Sequence, residues 1–490
     1  MRGLIAGLTC AAACAVWLGA AEPLVDPRTP SDWFAQGLEA ARKAAEGARV
    51  KRPARNVILF VGDGMSLTTV VAARILEGQR AGSPGEEHLL AFEKLPFSAL
   101  ARTYAIDAQV ADSAATMTAM VTGVKTLNGA LSMSSDARPL TTLLEIFEKE
   151  GRSTGVVTTT RLTHATPAAC YAHIAGREAE SDAGLSDEDR AAGVPDIARQ
   201  LVEWGSRPGD GLEVAMGGGR GNFLPQQEAD PESGSPGRRS DGRNLAQEWA
   251  RLPRSAYVWN TAGLDALDLS KIDHLLGLFE PSHMGYETSR ASDRGGEPSL
   301  ARMTERALDI LQRNKRGYFL MVEGGRIDHA HHDGNAYRAL DETIAFAAAV
   351  EVARRRVSEK DTLLVVTADH GHVLTFAGYS ARGNPILGLT GSPSDPRETL
   401  DGRHYTTLGY ANGPGAIKGE RPDLRDTDTT ARDYLQQATV PLESETHSGD
   451  DVPVYAGGAR AALFHGVIEQ NVIFHLIVEA AGLKASPPGR

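Results

Sequence analysis

Residues 317–334 read GYFLMVEGGRIDHAHHDG. The first six, ending at Val322, form a short apolar run of the kind that fills a strand buried on both faces. The character then changes at once. Glu323, Asp328 and Asp333 share the next stretch with His329, His331 and His332, in a chain that has only 14 histidines. Such groups are costly to bury unless they are paired or bound. Two readings compete: a His-rich solvated turn, or a metal site whose other ligands lie elsewhere.

The apolar run that ends in an acid recurs. NVILFV (56–61) runs into Gly62-Asp63-Gly64, and TLLVVTA (362–368) runs into Asp369-His370. STGVVTTT (153–160) is a fourth run of the same type, and helical stretches such as 140–151 and 299–314 lie between the runs. Strands alternating with helices predict an α/β protein with a largely parallel sheet. Ligand sites in such sheets lie beyond the carboxyl ends of the strands, so three strands deliver acids or imidazoles to one edge. A shared site explains three such strands better than coincidence does. If residues 327–334 open a helix, Asp328 and His332 stand four apart on one face. A carboxylate and an imidazole presented together suit Zn2+. His329 and His331 point elsewhere on that helix, toward outer hydrogen bonds or solvent.

The remaining composition narrows the class. A chain of 490 residues with 41% hydrophobic and 23% charged content is ordinary for a globular protein. Its net charge of −12 argues against a nucleic-acid-binding surface. A phosphate-like substrate would need strong local positive charge to approach it. Residues 1–21 have a basic start at Arg2, an apolar stretch and small residues at Ala20 and Ala21, the layout of a secretory leader. That predicts an exported protein, periplasmic or secreted, with no membrane anchor after cleavage. Cys10 and Cys14 would leave with the leader, so Cys170 has no disulfide partner. The mature chain, 22–490, reads as one domain. It opens with a helix over 31–48 capped by Ser31 or Asp32, has a loop-like stretch at 225–243, and carries an insertion at about 376–446.

Two further stretches carry chemistry. VADSAATMTAMVTG (110–123) places Ser113, next to Asp112, at a helix N-terminus. Alone, that serine reads as an ordinary N-cap. Its hydroxyl becomes a nucleophile only beside a base or a metal. TTTRLTHATPAACYAHIAGR (158–177) supplies His164, Thr166, Arg161 and Arg177. A threonine hydroxyl can serve a hard cation such as Mg2+. Either arginine can fork onto a phosphate edge or sit in a surface salt bridge.

Together, VGDGM, DSAAT, THATPA, VEGGRIDHAHHD, TADHGH and ETHSGDD occur in the order and spacing of the alkaline phosphatase family. The chain resembles that family over almost its whole mature length, MGGGR, GLFEP and ANGPG included. The resemblance implies a three-layer α/β sandwich with the insertion as a crown-like subdomain, and a homodimer formed through 31–48 and that insertion. It implies hydrolysis of phosphate monoesters through a phosphoserine at Ser113, with two zinc ions and one magnesium. Asp328, His332 and His447 would hold the first zinc, and Asp63, Asp369 and His370 the second. Asp63, Thr166 and Glu323 would hold magnesium. Arg177 falls at the phosphate-clamping arginine, which leaves Arg161 to a salt bridge. His372 stands as the outer partner of Asp328. His164, where other members carry an acid, marks the animal-like branch, with Asp112 beside the nucleophile. That branch also implies a structural calcium held by Glu232, the Phe279 carbonyl, Glu280 and Glu297, all oxygen donors. Local insertion in SRASDRGGEP (289–298) bears on where Glu297 falls. The alternatives are a phosphodiesterase or sulfatase on the same scaffold, and a non-catalytic metal- or phosphate-binding protein.

Overall fold

A computed structural model describes residues 26–46, 52–205, 207–391 and 399–488, and the leader lies outside the described residues. The strands in chain order begin with β1 (Asn56–Gly62), β2 (Phe97–Arg102), β3 (Ser153–Arg161), β4 (Val214–Gly218) and β5 (Ser255–Val258). They continue with β6 (His274–Leu278), β7 (Tyr318–Gly324), β8 (Thr362–Ala368), β9 (Gly371–His372) and β10 (Leu374–Phe376). The last are β11 (Leu408–Gly413), β12 (Ala438–Pro441), β13 (His447–Ser448), β14 (Val452–Gly458) and β15 (Gly466–Glu469).

Ten of these join one sheet in the order β15-β2-β14-β8-β1-β7-β3-β4-β6-β5. All neighbours are parallel except where β14 meets β2 and β8. The four apolar runs of the sequence are the adjacent central strands β8-β1-β7-β3, and every residue of β1, β7 and β8 is buried. That double-sided burial is why they read as continuous apolar runs and not as alternating ones.

Helices cover the sheet in two groups. Leu67–Arg80, Leu300–Leu311, Arg326–His332 and Ala336–Arg356 pack together on one side. Pro30–Glu46, Ser113–Thr122, Leu143–Lys149 and Val472–Ala481 pack together on the other, which gives three layers. Leu300–Leu311 shows the logic. Ser299 caps its N-terminus, Met303, Ala307, Leu308 and Leu311 line the buried stripe, and Arg302, Glu305 and Arg306 lie off it. The first helix starts one residue before the expected caps, because Pro30 occupies the first turn, where its missing N–H costs nothing. Residues 47–48 of the predicted helix lie outside the described residues. Among the described residues no helix is long and apolar enough to cross a membrane.

The stretch read as an insertion holds a separate three-stranded sheet, β10-β11-β12. The short pair β9 and β13 returns the chain to the main sheet with His372 opposite His447.

Candidate active site

Register sets the level of the site. Gly62 at the end of β1 pairs with Gly324 on one side and Ala368 on the other. Asp63, Glu323 and Asp369 therefore leave three adjacent strands at one height. The turn after β1 needs Gly64: its φ is +69°, and a Cβ there would come within 2.4 Å of the His372 ring. No other residue fits both demands.

Three groups of potential ligands meet at this edge. Asp328 and His332, one turn apart on the helix Arg326–His332, meet His447 from β13. The Asp328 Oδ1 lies 3.3 Å from Nε2 of His332 and 3.3 Å from Nε2 of His447. The two Nε2 atoms are 3.2 Å apart. Each ring donates its Nδ1–H to a backbone carbonyl, His332 to Glu445 and His447 to Ala111 at 2.9 Å. In the neutral rings both Nε2 lone pairs then face each other with no proton between them. That is repulsive unless a cation or an added proton sits there. Tetrahedral zinc with bonds of 2.0–2.1 Å has ligand-to-ligand edges of about 3.3 Å, so the spacing fits.

Asp63, Asp369 and His370 form the second group, all fully buried. His370 Nε2 lies 3.4 Å from Asp63 Oδ1 and 3.3 Å from Asp369 Oδ2. Asp369 Oδ1 accepts from the backbone N–H groups of Gly64 (3.0 Å) and His370 (2.9 Å), which turns Oδ2 inward. Asp63 also belongs to a third group with Glu323 and His164. Thr166 is fully buried. Both oxygens of Asp63, Oε1 of Glu323, Oδ2 of Asp369 and Oγ1 of Thr166 are buried with no hydrogen-bond partner. Orphaned oxygens at this density are exceptional in a folded interior. Burial pushes the Asp63 carboxyl well above its ordinary range, reinforced by Asp369, Asp328 and Glu323, and it lifts Glu323 to about 7 against the hydrogen bonds of Thr158 and Thr160. Divalent cations would satisfy the same atoms and remove the repulsion. The donor sets fit that role.

Ser113 opens the helix Ser113–Thr122, but the cap is Asp112, whose Oδ1 accepts from Ala115 N–H at 3.0 Å. The serine hydroxyl is thus not used in capping, and its Oγ lies 3.1 Å from His370 Nε2. The helix N-terminus behind it favours negative charge on that oxygen. Oδ2 of the same Asp112 accepts from Arg177 at 3.0 Å, and the other arm of Arg177 donates to Nε2 of His164 at 3.1 Å. Arg177 is held beside the serine. Arg161 is instead chelated by Glu180 and lies against His283.

Several side chains lie differently from the sequence reading, or were not read at all. His331, expected in outer hydrogen bonds or at the surface, is not at the surface: it is fully buried, bonded to Thr69 Oγ1 (3.0 Å) and the Tyr410 hydroxyl (2.8 Å). His372 donates to Asp328 Oδ1 at 2.7 Å and contacts the buried carboxylate of Glu445, a residue the sequence reading passed over. Burial disfavours charge on His372, but these two carboxylates raise it to about 9. His283, also passed over, meets the rings of His164 and His329 edge-on.

Away from the centre, Glu232 and Glu280 converge with Asp293, which takes the place expected of Glu297. The extra residues before Pro298 put Asp293 in reach. Glu297 turns aside, and its Oε2 accepts from Gly285 N–H at 2.9 Å. Burial, reinforced by Glu232, Glu297 and Asp293, lifts Glu280 to about 8. Phe279 is buried in β-sheet contact with Gly217. Glu232 is already engaged by the buried Arg220 at 2.8 Å.

An α/β sheet whose carboxyl edge gathers carboxylates and imidazoles around a serine and an arginine defines a metal-dependent hydrolase. Comparison with known proteins specifies it. The alkaline phosphatase family model matches residues 54–483. The tissue-nonspecific alkaline phosphatase of Gallus gallus is 44% identical over 475 residues, covering 93% of this chain and 90% of its own. The crystal structure of Thermus thermophilus alkaline phosphatase superposes with a TM-score of 0.66 at 26% identity, over 90% of this chain and 93% of that one. A mutant of the alkaline phosphatase of the Antarctic bacterium TAB5, solved with Mg bound in its M3 site, shares the fold with a TM-score of 0.62 at 22% identity, over 89% and 100%. The chain belongs to the alkaline phosphatase family, whose members are metal-dependent phosphomonoesterases.

Proposed function

We propose that this chain hydrolyses phosphate monoesters to an alcohol and inorganic phosphate through a covalent phosphoserine at Ser113. The observation that carries this reading is the serine hydroxyl itself. It sits at a helix N-terminus, is not used as a cap, and lies 3.1 Å from His370 in the midst of the orphaned carboxylates.

Asp328, His332 and His447 would hold one zinc ion and Asp63, Asp369 and His370 a second. Asp63, Thr166 and Glu323 would hold magnesium, with His164 adjoining. Bound there, the cations supply Lewis acidity that lowers the pKa of the serine hydroxyl and offsets charge on the phosphoryl and leaving oxygens. The chain's own residues do the rest. Arg177, aimed by Asp112, clamps two non-bridging oxygens of the phosphoryl group. Ser113 Oγ attacks phosphorus in line, forming the Ser–O–P bond as the ester P–O bond breaks. The proton of the serine hydroxyl passes to solvent, and the leaving oxygen takes one from water and departs as the alcohol. Water then attacks the same phosphorus from the opposite side, and Ser113 is released with free phosphate. Local cations and Arg177 also overcome the repulsion an acidic chain exerts on an anionic substrate.

Outside the reaction, Glu232, Glu280 and the Phe279 carbonyl, with Asp293 joining where Glu297 was expected, would hold a structural calcium. Residues 1–21 would direct export. The inserted sheet leaves Phe376, Tyr379, Val440 and Leu442 exposed, and this apolar surface supports a homodimer formed through it.

The direct test is steady-state hydrolysis of a chromogenic phosphate monoester, a phosphate diester and a sulfate ester, with and without chelator. The monoester should be turned over fastest, and chelator should abolish that turnover. A preference for the diester or the sulfate would assign the chain to a sister activity on the same scaffold. Binding without turnover would leave a metal- or phosphate-binding protein.

A further inference from the structure

We infer that Glu445 is the positioning residue for the group Asp328, His332 and His447, and that it sets how tightly this group holds its ion. The inference rests on the metal reading above.

Glu445 is 1% exposed, and it reaches all three ligands. Its Oε2 accepts from Nδ1 of His372, the ring whose Nε2 donates to Asp328. Its backbone carbonyl accepts from Nδ1 of His332, and its own N–H donates to the His332 carbonyl at 3.0 Å. Two residues further on, His447 begins β13, and β13 pairs with the strand that carries His372. One residue is thus connected to Asp328 through a histidine, to His332 directly, and to His447 along the chain.

The carboxylate cannot turn away from this task. Its Oε1 accepts from Val373 N–H at 2.7 Å, so Oε2 stays on His372. Gly413 presses against it: a Cβ added there would lie 3.1 Å from the Glu445 Cβ, at a φ of +132°. Packing alone does not account for the residue. A buried carboxylate is expensive, and this one has no arginine or lysine partner among the described residues. Its ion-pairing partners are two histidines, one a proposed ligand and the other the support of a proposed ligand. Outer carboxylates of this kind fix the tautomer and angle of the groups that touch a metal.

The test uses the full chain as wild type, Glu445→Ala, Glu445→Gln and Asp328→Ala. Each is loaded with zinc and equilibrated against a graded chelator series, and zinc per chain is counted by mass spectrometry. Thermal unfolding of the metal-stripped proteins runs alongside. In Glu445→Ala, one zinc should leave at a chelator level roughly 10- to 100-fold lower than in wild type. Its metal-free form should lose some stability, because Val373 N–H and the His372 ring are left without their acceptor, so zinc release is compared at a temperature where both metal-free proteins are folded. Glu445→Gln keeps an oxygen for Val373, and its amide can donate to Nδ1 of His372 once that nitrogen has lost its proton, which leaves Nε2–H on Asp328. This variant should retain zinc close to the wild type. An unchanged release midpoint in Glu445→Ala overturns the inference. So does a Glu445→Ala whose zinc is released early only at temperatures where its metal-free form is unfolded, since that marks a residue serving the fold alone. If wild type and Asp328→Ala hold the same zinc, the underlying metal reading fails, and that result does not depend on Glu445.

Discussion

At the scale of single residues, the centre is assembled by side chains that each serve two partners. Asp112 caps the helix behind Ser113 with one oxygen and aims Arg177 with the other. This separates two effects that are easily confused. Arg177→Ala should weaken inhibition by inorganic phosphate and lower kcat/KM by roughly 10- to 100-fold, the loss of charge-assisted hydrogen bonds, with no change in melting temperature. Asp112→Ala should lower kcat/KM in the same direction and also cost about 1 kcal/mol of stability through the lost cap. Inhibition and melting curves on both variants check this, and equal melting losses in the two would contradict it. Asp63, Glu323 and Asp369 were legible in the sequence, because an acid at the end of an apolar run marks a strand's carboxyl edge, whereas His447 entered only through the family resemblance. Glu445, His283 and Asp293 were not legible. Glu445 meets His372 across 73 positions of chain, and no local pattern encodes such a contact.

At the scale of elements, the sequence showed strands only where both faces are buried. The runs at 56–61, 153–160, 317–322 and 362–368 are the four adjacent strands β1, β3, β7 and β8. The outer strands β2 and β15, and the short β4–β6 side, escaped notice because partial exposure or brevity breaks the apolar run, and β14 because Pro453 and the glycines at 457 and 458 interrupt it. Sheet order and the antiparallel β14 are set by long-range packing, which periodicity does not report. The junction between the helix Leu143–Lys149 and β3 makes a separate prediction. Glu148 is buried there, and its Oε1 accepts from Thr154 Oγ1 at 2.6 Å. Burial, with Glu213 nearby, raises its carboxyl to about 9, against an unfolded value of about 4.3. Between those values the folded chain keeps a proton that the unfolded chain has released. Stability from this group therefore falls as pH rises through the window. Glu148→Gln preserves the oxygen that Thr154 uses and removes the titration. Its melting temperature should exceed wild type by more at about pH 9 than at about pH 6. A constant difference would contradict the assignment.

At the scale of the molecule, cohesion comes from one broad core and, on the proposed reading, from bound ions and a second copy. Cys170 is buried and is the one cysteine of the described residues, so reductant should leave the melting temperature unchanged. Light scattering should return twice the chain mass, and a monomer would remove the role proposed for the inserted sheet. Those results concern the setting of the chemistry. The claim at the centre is that Ser113 carries the phosphoryl group between the ester and water. Labelled phosphate, incubated with the metal-loaded chain at acidic pH and quenched with acid, should be recovered on a single peptide and map to Ser113. Ser113→Ala should incorporate none while keeping its metals. Label on any other residue, or none on a chain that turns over monoesters, would contradict the mechanism.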